Sequence, residues 1–147
     1  MYMPITYERM TSKTDSDIPE LISIFKLPDV ERYYAIDFEN YFSYVTETPD
    51  VYFYKAYEGN TLIGAFHIAK SESTLYLSIV VFPEFQKKGK ASEIVEDIKK
   101  DIFNFEYNKI EAVINDDNIA SLKLFEKQDF AFESKDGGLL TYIYKNK

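Results

Sequence analysis

The reading of V80-V-F-P-E-F-Q-K-K-G-K-A-S-E-I-V-E-D-I98 decides the fold. The stretch opens β-branched and apolar, breaks at Pro83, and sets Lys87, Lys88 and Lys90 around Gly89. Past the glycine, Ala91, Ile94, Val95, Ile98 and Ile102 recur at helical spacing, which predicts a helix running to about Phe103. A strand therefore feeds a helix through a cationic turn. The start of a helix leaves backbone N–H groups without intrahelical partners and carries partial positive charge. A glycine in the turn lets a phosphate come close to the backbone. Gln86 to Ser92 would supply those N–H groups, and the three lysines would offset part of a polyanion's charge. The segment suits a diphosphate. It is neither a Walker loop nor a three-glycine dinucleotide fingerprint. On spacing alone, an ordinary strand-to-helix turn with solvated lysines fits it as well.

Working outward, L75-Y-L-S-I-V-V81 is the strand that enters this turn, and K109-I-E-A-V-I114 is the strand that follows its helix. A strand–helix–strand unit of this kind places the two strands parallel in one sheet. Upstream, V51-Y-F-Y-K-A-Y57 and T61-L-I-G-A-F-H-I-A69 flank E58-G-N60 as a hairpin, and K70-S-E-S-T74 is a polar turn. I5-T-Y-E-R-M10 is a first strand. Asp17, Pro19 and Glu20 mark a helix start with a capping-box-like spacing, and Leu21, Ile22, Ile24 and Phe25 form its apolar side. Pro28 interrupts it, and the aromatic, acidic segment from Val30 to Glu47 holds one or two further helices. Downstream, N118-I-A-S-L-K-L-F-E-K127 is a helix, while F130-A-F-E-S134 and L139-L-T-Y-I-Y144 form a last hairpin around Gly137 and Gly138. The order β-α-α-β-β-β-α-β-α-β-β is an α/β mixture with a mostly antiparallel front half.

The bulk composition narrows the function. At 147 residues, 46% hydrophobic and 17% aromatic, the chain fits one domain over residues 1–147 with a real core. It has no cysteine, which excludes disulfides, thiolate metal sites and a Cys nucleophile, and its single histidine, His67, builds no metal site alone. The first ten residues are too polar for a signal peptide, and no apolar run reaches the roughly 20 residues of a membrane helix. The expectation is a cytoplasmic protein with no membrane partner. A net charge of −8 argues against nucleic acid and mildly favours a cationic or amine-bearing partner.

V81-x-P83-x-x-Q86-x-x-G89-x-A91 resembles the V-x-P-x-x-[QR]-x-x-G-x-[GA] motif of the GNAT family, the Gcn-related N-acetyltransferases. Downstream, N118-x-x-S121-x-x-x-F125-x-x-x-D129-F130 resembles that family's N-x-x-[SA]-x-x-x-Y-x-x-x-G-F. The resemblance covers essentially the whole chain. It implies an acyl-CoA N-acyltransferase fold: a mixed central sheet of about seven strands, flanking helices, and parallel strands that splay apart at the site. The implied co-substrate is acetyl-CoA. Its pyrophosphate would lie on Gln86, Lys87, Lys88, Gly89, Lys90, Ala91 and Ser92, and its pantetheine arm along Ile79 and Val81. Asn118 would contact the arm, and Phe125 would pack near the thioester. An added strand of this kind would satisfy edge groups that the splay leaves unpaired.

The chain departs from the family pattern in two places. Phe125 replaces the tyrosine that commonly gives a proton to the leaving thiolate, and Asp129 replaces the glycine before Phe130, so that turn is expected to differ. Acetyl transfer still needs a neutral amine and a proton for sulfur. The candidates for such work are Glu72 in the turn before the strand, Glu111 on the parallel neighbour, and His67 by its intrinsic pKa. Each also has a plainer role, as a solvated turn residue, a solvent-facing strand residue and a hydrogen-bonded sheet residue respectively. Tyr76 and Ser78 enter only if their strand is bulged. The resemblance places the acceptor site at Y33-Y-A-I-D-F-E-N-Y-F-S-Y44, where Asp37, Glu39 and Glu47 could hold a cationic amine among tyrosine faces. An amphipathic helix with buried aromatics is the alternative there. The functional expectation is an N-acetyltransferase acting by direct attack on a primary amine of a small molecule or protein. Its rival is a cofactor-binding sensor that has lost transfer. The terminal strand, Leu139 to Tyr144, is a candidate for pairing across a homodimer.

Overall fold

A computed structural model describes residues 3–34 and 36–146. The elements run β1 (Ile5–Arg9), α1 (Ile18–Phe25), α2 (Pro28–Glu31), α3 (Phe38–Glu47), β2 (Val51–Glu58), β3 (Thr61–Ser71), β4 (Thr74–Val81), α4 (Lys90–Lys99), β5 (Lys109–Asn115), α5 (Ile119–Lys127), β6 (Ala131–Asp136) and β7 (Leu139–Lys145). One seven-stranded sheet joins them in the order β1-β2-β3-β4-β5-β7-β6. Every neighbouring pair is antiparallel except β4 and β5. The parallel pair is the one that the strand–helix–strand unit predicts.

Alternation along β4 places its residues on two cores. Leu75, Leu77, Ile79 and Val81 are buried with Ile94, Val95 and Ile98 of α4 and Phe125 of α5. On the other face, Val80 joins Ala65 and Phe53 under Leu21, Phe25, Phe42 and Val45 of α1 and α3. The two helical layers thus cover opposite sides of one sheet. None of the helices among the described residues is long and apolar enough to cross a membrane.

Several local expectations are corrected. The helix after Gly89 ends at Lys99 rather than near Phe103. Asp101 turns left-handed (φ 58°) and its carboxylate accepts from the N–H groups of Phe105 (2.7 Å) and Glu106 (2.8 Å). That reversal leaves Ile102 exposed and returns Phe103 to the core, with its ring 4.6 Å from Tyr54 and 5.4 Å from Phe66 between centroids. The β3–β4 turn is tighter than residues 70–74, because both strands extend until only Glu72 and Ser73 remain between them.

Asp17 does not cap α1 through its side chain. Its carboxylate instead accepts from Lys55 Nζ (2.8 Å) and the Tyr57 hydroxyl (2.6 Å), and these bonds hold it below the usual carboxylate range. Lys55 is 2% exposed, with Asp15 at 2.9 Å and Glu8 at 3.2 Å as further partners. A buried ammonium needs such partners more than the helix needs its cap.

The terminal strand β7 is not an edge. It lies between β5 and β6, with its main-chain groups paired on both sides, so it cannot extend the sheet across a dimer. The chain's return at Gly137 and Gly138 puts β6 on the outside instead.

Candidate functional site

β4 and β5 pair only at their starts, Thr74 to Tyr76 against Lys109 to Glu111. Beyond that point β5 continues alongside β7 and leaves the end of β4 open on one edge. Polar groups exposed by such a split must find other partners. The Ile79 carbonyl accepts from the Tyr34 hydroxyl, and the Val81 carbonyl accepts from Gln86 Nε2 at 2.9 Å. Side chains stand where a neighbouring strand would otherwise be.

The open edge leads into the turn. A single 3₁₀ turn at Pro83–Phe85 is followed by extended Gln86, left-handed Lys87 (φ 62°) and left-handed Gly89 (φ 76°). A non-glycine residue costs about 1–2 kcal/mol in that conformation, so Lys87 is held there by its surroundings. Unlike α3 and α5, which Asp37 and Asn118 cap, α4 begins with no side-chain cap on its amides. A Cβ at Gly89 would meet nothing within 4 Å. The turn is therefore an uncapped helix start with open space before it.

Of the three lysines, Lys87 and Lys88 are exposed, and Lys88 Nζ stands 6.0 Å over the Phe85 ring. Lys90 is paired to Glu58 at the end of β2. Ala91 packs against the core. The Ser92 hydroxyl accepts from Gln128 Nε2 at 2.6 Å and ties α4 to the end of α5.

The second motif forms the opposite wall. Asn118 Oδ1 accepts from the Ser121 N–H at 3.3 Å, which caps α5. Asn118, Ser121 and Phe125 lie at i, i+3 and i+7 and so line one side of a groove of about 340 Å³ between the splayed strands. The turn after α5 keeps the geometry that a glycine would give it. Asp129 adopts φ 68°, its N–H donates to the Glu126 carbonyl (3.1 Å), and the Phe130 N–H donates to the Phe125 carbonyl (2.9 Å). This is a Schellman ending, completed by Phe125 and Phe130 with ring centroids 4.9 Å apart. The expected change at Asp129 does not occur, because an aspartate tolerates the left-handed region better than most residues.

A second cavity, of about 380 Å³, adjoins the groove on the α2–α3 side of the sheet. Its lining is mostly aromatic, with Phe25, Tyr33, Tyr34, Tyr41, Tyr44 and Phe53 around Ala65, His67, Ser78 and Val80. Tyr33, Tyr34, His67 and Ser78 line both spaces, so the two meet there. His67 lies opposite Ser78 across β3 and β4, which run in unbroken register. Ser78 thus reaches the site without the bulge it was expected to need; Tyr76 lines the groove in the same way.

The Tyr41 hydroxyl and His67 Nδ1 share a hydrogen bond of 2.7 Å. Burial pulls the His67 pKa down to about 4, so the imidazole is neutral at pH 7. Burial likewise pushes the Tyr34 phenol up to about 12 and raises that of Tyr41.

Among the acidic candidates, Asp37 lines the aromatic cavity, though its carboxylate already accepts from Asn40 Nδ2 (2.8 Å) and the Glu39 N–H (3.2 Å). Glu39 is exposed, and Glu47 lies 3.8 Å from Lys13 at the surface. Neither lines the cavity. Glu72 is exposed at the β3–β4 hairpin tip, remote from the Gly89 end of β4, and lines neither space. Glu111 lines the groove at its closed end, opposite Tyr76. The folded chain therefore brings His67 and Glu111 to the site and leaves Glu72 outside. Tyr34 and Tyr41 were legible only as members of an aromatic segment. No sequence signal ties either to Ile79 or His67.

The family model for the acetyltransferase (GNAT) family matches residues 18–130, which contain the splayed strands, the turn and both groove walls. The chain belongs to the GNAT family. As a GNAT acetyltransferase it shares its fold with many solved structures. A domain from Methanocaldococcus jannaschii superposes with a TM-score of 0.83 at 20% identity, covering 99% of this chain and 100% of that one. The Campylobacter jejuni N-acetyltransferase PseH in complex with acetyl coenzyme A gives 0.78 at 14% identity, over 97% and 99% of the two chains. A Vibrio cholerae spermidine N-acetyltransferase in complex with CoA and spermine gives 0.79 at 14% identity, over 96% and 95%. No curated protein matches this GNAT sequence.

Proposed function

We propose that this GNAT chain transfers the acetyl group of acetyl-CoA to a primary amine by direct attack in a ternary complex. The observation that carries the reading is the junction of the two cavities at Tyr34, His67 and Ser78. An amine in the aromatic cavity faces the groove directly, and with no cysteine in the chain there is no thiolate to relay the acetyl group.

The residues fit the co-substrate. The uncapped amides at the start of α4 and the space before Gly89 suit a pyrophosphate. Lys87 and Lys88 add charge at the rim. The carbonyls of Ile79 and Val81 face the open edge, held only by side chains that can turn aside for an amide-bearing arm. When bound, acetyl-CoA supplies an activated acyl group. The chain's part is to orient it, hold the amine neutral in a poorly solvated cavity, and place a proton near sulfur.

The aromatic lining and the single carboxylate at Asp37 point to a small amine with an apolar or aromatic body rather than a polycation. Tyrosine faces would hold an ammonium on arrival. Burial would then favour its neutral, nucleophilic form.

Phe125 favours a second reading, a sensor that binds the co-substrate without turnover, because its ring has no proton to give. Thermal-shift titration with acetyl-CoA, followed by thiol release over aromatic monoamines, alkyl monoamines and polyamines, separates the two. Thiol release that is fastest with aromatic or apolar monoamines supports transfer. A thermal shift with no thiol release on any amine supports the sensor.

A further inference from the structure

We propose that Tyr34 supplies the hydroxyl that Phe125 lacks and acts as the proton donor to the leaving sulfur. The inference rests on the acetyl-transfer reading above and deepens it.

Phe125 stands on the α5 wall of the groove, where a phenol would face the splay. Tyr34 stands on the facing side, carried there by the segment that follows α2, and lines the same groove. Its hydroxyl donates to the Ile79 carbonyl, on the stretch of β4 that the splay leaves open. A phenolic O–H is thus present in the groove, brought from the acceptor side of the sheet. Half-buried, with desolvation raising its pKa, the phenol keeps its proton through the neutral range and has it available to give.

The other hydroxyls lining the groove are less suited to the task. Tyr76 is 43% exposed and sits where β4 and β5 still pair. Ser78 and Ser121 are alcohols, far weaker acids than a phenol. Tyr33 lines the groove too, but its ring lies 5.2 Å from the exposed Arg32 guanidinium. Among these groups, Tyr34 is the half-buried phenol with a hydrogen bond to the open strand.

The step balances as follows. The amine nitrogen's lone pair forms a bond to the acetyl carbonyl carbon, and the carbon–sulfur bond breaks with its electron pair going to sulfur. The Tyr34 proton passes to that sulfur and yields the free thiol. The proton lost by nitrogen returns through solvent to the Tyr34 oxygen, so the enzyme ends unchanged. No oxidant or further reactant is needed. An amide of the bound arm can take over the bond to the Ile79 carbonyl, which releases the hydroxyl for this role.

Three variants of the full chain test the assignment: Tyr34→Phe, Phe125→Tyr and the double change. For Tyr34→Phe, kcat falls about 100-fold, the scale of a lost general acid, with KM for the amine little changed. Coenzyme A affinity by calorimetry is not weakened, since Phe cannot compete for the Ile79 carbonyl. Phe125→Tyr serves as the reference for the double variant, which recovers at least tenfold over Tyr34→Phe because a hydroxyl is back in the groove. A Tyr34→Phe enzyme within threefold of wild-type kcat overturns the proposal and leaves acetyl transfer standing. So does a kcat loss that tracks weakened coenzyme A binding and is not recovered in the double variant, which marks Tyr34 as structural. A wild-type chain that releases no thiol with any amine overturns acetyl transfer itself, and this proposal with it.

Discussion

The two halves of the site are built from different materials. The half around the splayed strands and the Gln86–Gly89 turn is made of backbone: open-edge carbonyls at Ile79 and Val81, uncapped amides at the start of α4, and left-handed residues that shape the approach. The half around His67 is made of side chains from α1, the α2–α3 segment, α3, β2, β3 and β4. Backbone geometry is set by a few residues at fixed spacing, so that half accepts many surrounding sequences. A side-chain cavity changes with each lining residue, which is how one fold can take different amines.

The sharpest way to break this division is to loosen the side-chain half alone. Lys55 holds Asp15 and Asp17, and through them the entry to α1, whose Phe25 lines the aromatic cavity. Lys55→Ala leaves two part-buried carboxylates without their cation and is expected to cost about 3–5 kcal/mol in urea unfolding. Where the variant is folded, coenzyme A affinity by calorimetry stays near wild type. A proportionate loss of that affinity would mean that the halves are not separable.

His67 provides a pH test of the same half. Its folded pKa lies below the ordinary value of 6.5, at about 4, so the unfolded chain binds the extra proton first as pH falls. The stability contribution is complete above pH 6.5 and is lost as pH drops toward 4. Between pH 7.5 and 4.5 the wild type should lose roughly 2–3 kcal/mol more than His67→Gln, measured by urea unfolding at each pH. Equal losses in the two proteins would place His67 in solvent rather than in a dry cavity.

The backbone half is challenged by Gly89→Glu. The added side chain enters the space before α4, forces a left-handed glutamate and sets a negative charge where a phosphate would lie. Coenzyme A affinity is expected to fall at least about 100-fold, or about 2.7 kcal/mol, with the far-ultraviolet circular dichroism spectrum unchanged. The smallest effect belongs to the second motif. Asp129→Gly relieves a left-handed aspartate and should raise stability by about 0.5–1 kcal/mol in thermal unfolding, because the Schellman bonds are already in place.

What could be read beforehand follows the same division. The order of elements along the chain and the parallel pair were legible because alternation and helical spacing are local properties, whereas Ile79, Asn118 and Phe125 were legible through the resemblance of two motifs to the family's. The Tyr41–His67 bond and the Tyr34–Ile79 bond join residues 26 and 45 positions apart, and no periodicity encodes them. The end of α4 was misread because Ile102 continues the apolar spacing, while the left-handed turn at Asp101 depends on amides that come later. The place of β7 inside the sheet depends on which side the last hairpin folds, and both arrangements share the same alternation. Asp129 shows the converse: a changed residue type left the turn's geometry intact.

Amide hydrogen exchange with and without saturating coenzyme A bears most directly on the backbone-built half. Slowed exchange is predicted at the amides from Lys88 to Ser92, with little change along Phe38–Glu47 of the acceptor side. Saturated binding that leaves the amides from Lys88 to Ser92 exchanging freely, with protection confined to the aromatic cavity, would contradict it.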